Sequence, residues 1–135
     1  MFLLGNTNSE VRCYAAYLLG QRRISDAAPA LAQMITLEAA FRDNPHEWFW
    51  GKNPAVEALI KIGDPAIADV LRNLQESNDA KVRELSMRVI YHIDRKDKGF
   101  VRLRLEKALA VQDNTEKKAR LQTALRFLQV SDFLG

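Results

Sequence analysis

Covalent catalysis needs a nucleophile, a base within hydrogen-bond reach and a group that orients the base. The 135-residue chain offers one cysteine, Cys13, two histidines, His46 and His92, and scattered serines. Cys13 lies in a helix-like stretch with no histidine near it in sequence, the setting of a packed or half-exposed thiol rather than a reactive one. His92 follows the apolar pair Val89-Ile90 near a helix end, where an imidazole is favourable for structural reasons. A single cysteine excludes an intrachain disulfide framework, and two histidines are too few for a zinc motif. Gly20-Gln21 and Gly63-Asp64-Pro65 read as helix stops, not as a phosphate cradle. Carboxylates stand singly at helix surfaces and turns, so no glycosidase-like pair is expected. These residues point to a protein that is not an enzyme and has no metal or other cofactor.

Binding has better candidates. The segment 43–54 holds both tryptophans, Trp48 and Trp50, beside His46-Glu47 and Phe49. Asn44, Pro45 and Glu47 resemble a helix start with a capping box, and Pro54 either kinks that helix or restarts it after Asn53. The tryptophans either cap the core or project as anchors for a partner, tryptophan being a common hot-spot residue. The second candidate is basic. The chain carries a formal net charge of +3, yet the cations concentrate beyond residue 80, where Lys98, Arg102 and Arg104 are followed by Lys107, Lys117, Lys118, Arg120 and Arg126. That bias suits an anionic partner, although pairs such as Arg102 with Glu106 at i, i+4 also describe an ordinary solvated face.

These residues must be carried by helices. There are 17 Ala and 17 Leu against 15 Val plus Ile, and hydrophobic residues make up 47% of the chain, which argues for a globular helical domain and against an all-β or large α/β enzyme. Val82, Leu85, Ser86, Val89, Ile90 and Ile93 form one helical stripe. Val11, Tyr14, Ala15, Leu18 and Leu19 predict a second, and Leu121, Ala124, Leu125 and Leu128 a third. Asp64-Pro65 after Gly63 reads as an N-cap with proline at the first helical position, so two helices meet there almost without a loop. Asn78-Asp79 and residues 97–99 punctuate the later helices.

The series repeats. Ala15, Leu19 and Ala28-Pro29-Ala30-Leu31 align with Ala55, Leu59 and Ala68-Asp69-Val70-Leu71 at an offset of 40 residues. Val11-Arg12 matches Val82-Arg83 at 71, and Leu18-Leu19 matches Ala124-Leu125 at 106. An insertion around residues 36–52 accounts for the long first step. Asn8-Ser9-Glu10-Val11-Arg12, Ala15-Ala16, Leu19-Gly20 and Ala28-Pro29-Ala30-Leu31 resemble the HEAT-like repeats of the bilin lyase type, and residues 57–66 resemble their middle portion. A third repeat matches only from Asp79 to Arg83, and a fourth, over 114–129, is degenerate, with Lys117 where valine is expected.

The resemblance implies an all-α, right-handed α-solenoid of about four antiparallel helical hairpins, residues 1–135 forming a single domain. It specifies architecture and not activity, since such repeats serve lyases, hydroxylases, adaptors and transport factors. HEAT-like deoxyhypusine hydroxylases hold di-iron through four His-Glu pairs; this chain has one, His46-Glu47. By the same resemblance Arg102 and Lys107 point into a concave groove. The first four residues resemble the tail of a preceding helix, which leaves open a short cap or a longer array, and Val130, Phe133 and Leu134 are expected to fold back as a C-terminal cap. The expected function is a non-enzymatic scaffold that binds a protein or peptide through Trp48, Trp50, Lys98, Arg102 and Arg104. Nucleic acid or another polyanion is the alternative partner, and an accessory role in a larger lyase or hydroxylase a further one. No apolar run reaches the roughly 20 residues of a membrane span, and no secretory signal opens the chain, so a cytoplasmic location is expected.

Overall fold

The computed structural model describes residues 2–39 and 51–134, and among them every regular element is helical. A 3-10 turn, Phe2–Gly5, precedes α1 (Ser9–Gln21), α2 (Ala28–Gln33), α3 (Pro54–Ile62), α4 (Ile67–Glu76), α5 (Ala80–Lys96), α6 (Phe100–Val111) and α7 (Thr115–Leu134). The chain divides into two compact units, Met1–Asp69 and Val70–Gly135.

In the first unit α1 begins where Asn8 Oδ1 accepts from the amides of Glu10 (2.9 Å) and Val11 (3.4 Å), satisfying two of the donors a helix start leaves open. Its buried face is Cys13, Ala15, Ala16 and Gly20, which shares only Ala15 with the predicted stripe: Tyr14 is 50% exposed, and Val11, Leu18 and Leu19 are only half-buried. The smallest residues face inward because α3 lies very close. A Cβ placed on Gly20 would come within 2.6 Å of the Ala58 Cα. Gly20 is therefore also a packing glycine, in the last turn of α1, which ends at Gln21 as expected; Arg23, the non-glycine residue with positive φ (51°) among those described, then turns the chain. Lys61 of α3 lies over the Tyr17 ring of α1 at 5.3 Å, covering the edge of the same interface. Near the two ends of the insertion the Ala39 amide donates to the Lys52 carbonyl at 2.9 Å.

Both α2 and α4 are entered through a 3-10 turn, Ser25–Ala27 and Asp64–Ala66. Asp64-Pro65 thus opens a 3-10 turn, not α4 itself. The two stretches bury matching positions at an offset of 39: Ala27 with Ala66, Ala28 with Ile67, Leu31 with Val70, Ile35 with Leu74. Their preceding terminators, Arg23 and Gly63 (φ 79°), are 40 apart. The one-residue difference is Ile24, an extra loop residue in the first pair, so a single offset of 40 misaligns the second helices. Gly63 supplies the left-handed backbone that lets α3 end and the chain turn directly.

In the second unit α5 starts at Asp79, whose Oδ1 accepts from the Lys81 amide at 2.9 Å. Of its predicted stripe Leu85, Ser86, Val89, Ile90 and Ile93 are buried, and Val82, in the first turn, is half-buried. Val101 and Leu105 of α6 and Leu121, Ala124 and Leu128 of α7 complete that core. Gly99 (φ 97°) turns the chain into α6. The Asn114 side chain accepts from the Lys117 amide (3.0 Å) and opens α7, which then runs unbroken to Leu134. Residues 130–134 therefore extend the last helix and do not fold back over it. No helix among the described residues is long and apolar enough to cross a membrane.

Candidate functional site

The basic cluster is placed by the end of α5, the turn after it and α6. Arg102 occupies its centre, but its guanidinium points inward. Nε and Nη2 donate to Asp94 of α5 (3.2 and 2.9 Å), and Nη1 and Nη2 donate to Asp132 of α7 (2.6 and 2.9 Å). Nη2 also reaches the Leu128 carbonyl at 3.1 Å. One planar fork thus ties three helices through two bidentate carboxylate pairs, which a lysine could not reproduce. The Asp94 side chain is only 2% exposed and Asp132 is open to solvent. The hydrogen bond to Asp132, then that to Asp94, raises the Arg102 pKa above the usual arginine range. In return the Arg102 hydrogen bond holds the Asp132 carboxyl below the ordinary carboxylate range.

Lys98 approaches Asp132 at 3.7 Å as an exposed pair, and the Arg104 guanidinium lies over the Phe100 ring at 5.8 Å. Lys98 and Arg102 thus meet on Asp132, Arg104 has its own partner in Phe100, and Arg102 pairs with Asp94 and Asp132 and not with Glu106. Trp48 and Trp50, with His46 and Glu47, lie outside the described residues. Cys13 is buried, its Sγ 4.0 Å from the Glu38 carbonyl. His92 is exposed, its ring edge-on to Tyr91. Among the described residues no three His, Cys, Asp or Glu side chains gather as a metal site.

A second feature lies between α5 and α7. These two helices run parallel. Near their starts Arg83 Nη1 and Arg120 Nη1 both donate to the Ser77 carbonyl, at 2.8 and 3.2 Å, and Arg120 Nη1 also donates to the Gln75 carbonyl at 2.7 Å. Arginines thus satisfy carbonyls left open where α4 ends. Near their other ends the rings of Tyr91 and Phe127 meet edge-on at 5.8 Å, one turn before the Arg102 clasp. Between these ties is a groove of about 460 Å³. Ala80, Arg83 and Met87 form one wall, Ala119, Thr123 and Phe127 the other, and Leu74 and Ala124 the floor. Phe127 is 51% exposed. Spacings of i, i+3, i+7 on α5 and i, i+4, i+8 on α7 are what a helix presents to another helix.

Sequence reasoning did not find this groove. Met87 and Phe127 fall just beside the buried stripes of their helices, and only the parallel pairing of α5 with α7 brings them together. The Asp94 partner of Arg102 did leave a signal, because Ser86, Ile90 and Asp94 are spaced by four, which puts a carboxylate on a buried stripe where it needs a cation.

The chain matches no protein-family model, and no curated protein or solved structure is found similar to it. The class defined by fold and site is an all-helical protein with a preformed apolar groove.

Proposed function

We propose that the chain is a HEAT-like helical-repeat module of the α-solenoid type that binds a protein or peptide segment without catalysing a reaction. The groove between α5 and α7 carries this reading. It falls within the roughly 300–1,000 Å³ of ordinary ligand sites, is walled mainly by apolar or small side chains, and exposes an aromatic ring at its edge. The matching helix, 3-10 turn, helix patterns in residues 9–35 and 54–74 support the repeat part of the proposal. A polyanion partner is less favoured, because Lys98, Arg102 and Arg104 spend their side chains on intramolecular partners.

The test is selection of a displayed random 16-residue peptide library on the wild-type chain and on Thr123→Trp, which fills the groove from an exposed position of α7. Enriched peptides should bind the wild type and lose binding to the variant, with both proteins equally helical by circular dichroism. Peptides indifferent to Thr123→Trp, or their displacement by a single-stranded oligonucleotide at low salt, would count against the groove.

A further inference from the structure

The groove is bracketed by charges that cancel in pairs, with one exception. Glu84 at its rim pairs with Lys81 at 3.8 Å, and Glu116 accepts from Arg120 at 2.6 Å. Arg83 has no carboxylate partner among the described residues: the hydrogen bond its guanidinium makes is the one from Nη1 to the Ser77 carbonyl. A backbone carbonyl supplies a dipole but not a full compensating charge. The half-buried wall therefore keeps one cation whose Nε and Nη2 donors are unused by the described residues, at the end of the groove where α5 and α7 begin. At its other end the groove is lined by the Phe127 ring, which meets Tyr91 edge-on, and the nearest cation there, Arg95, already donates to the Tyr91 hydroxyl at 3.0 Å.

We infer that the occupant is an amphipathic helix of a partner protein. Its aliphatic face packs on Met87, Ala124 and Phe127, and it carries an Asp or Glu in the turn that lies over Arg83. The inference rests on the groove being the binding surface, as proposed above. Three observations support it together. Both walls are helices with one stripe each facing the gap, so a third helix can lay its side chains between them. The uncompensated Arg83 makes a carboxylate favoured and a lysine disfavoured at that one end, and a carboxylate can accept the remaining fork donors. The chain beyond residue 80 is rich in Lys and Arg, so the approach of an acidic segment is favoured before contact.

The peptides enriched on wild type supply the test. They should carry aliphatic residues at i, i+3 or i+4 and i+7, with an acidic residue about one turn from one end. Changing that residue to Gln in the peptide should weaken binding to wild type about tenfold, and changing it to Lys should weaken it further. Against Arg83→Gln, the acidic peptide and its Gln version should bind alike, and selection on Arg83→Glu should enrich basic peptides instead. The peptide substitutions need no protein variant, so they decide the matter even where an Arg83 variant unfolds. Enriched peptides with no acidic preference, still blocked by Thr123→Trp, overturn the inference and leave the groove as the binding surface. Absence of any enrichment, or binding that ignores Thr123→Trp, overturns both.

Discussion

Gly20 shows how one missing methyl group sets the distance between two helices. Its place against Ala58 leaves no room for a Cβ, so Gly20→Ala forces α1 and α3 apart and should cost about 1–3 kcal/mol in a denaturant melt. An unchanged melt would show that the interface readily yields. The opposite case is Ser86, whose hydroxyl is fully buried without a hydrogen-bond partner. Ser86→Ala removes an unpaid desolvation and should be neutral or stabilising by up to about 1 kcal/mol. Arg102 carries more. Arg102→Met leaves the Asp94 carboxylate buried without its cation and should cost about 3–5 kcal/mol, whereas a solvated basic residue would cost almost nothing. The identities of Arg102 and Gly20 were visible in the sequence as a cation and a helix-ending glycine. Their roles were not, because each depends on a residue more than eight positions away or on another helix: Asp132 in one case and Ala58 in the other.

At the level of elements, periodicity was a good guide where side chains are large and a poor one where they are small. The α5 stripe holds, and Ile90→Ala should cost about 2–5 kcal/mol as a fully buried side chain is truncated. The α1 stripe was misplaced because hydrophobic spacing ranks Tyr14 and Leu18 above Ala16 and Gly20, while close helix packing selects the reverse. The end of α7 is held by polar contacts to Arg102 and Lys98, and this makes it sensitive to acid. Asp132 has a folded pKa below its unfolded value, so its stabilising contribution is complete above the unfolded value of about 4 and is lost as the pH falls through the lower folded one. Amide exchange in residues 129–134 should quicken in that range ahead of the α5 core, and Asp132→Asn should show quickened exchange already at neutral pH. Uniform protection of both segments down to the same pH would contradict this role.

For the molecule as a whole, the helical class was legible from composition and stripes, and the first two helix pairs from their repeated burial. The groove was not, since it arises from the pairing of two helices that begin 35 residues apart in sequence, at Ala80 and Thr115, and whose facing residues are partly polar or small. Its blockage by Thr123→Trp and the acidic preference at Arg83 are predictions at this scale, read by the same peptide titrations. The shared Ser77 carbonyl bears on how such a titration should behave. Because two arginines from different helices meet on one oxygen while Arg102 joins the same helices at their far ends, the gap is braced before anything enters it. The ordering cost of association then falls on the incoming chain, and a peptide stapled into a helix beforehand should gain affinity mainly by arriving faster, the protein itself having no slow opening step to wait for.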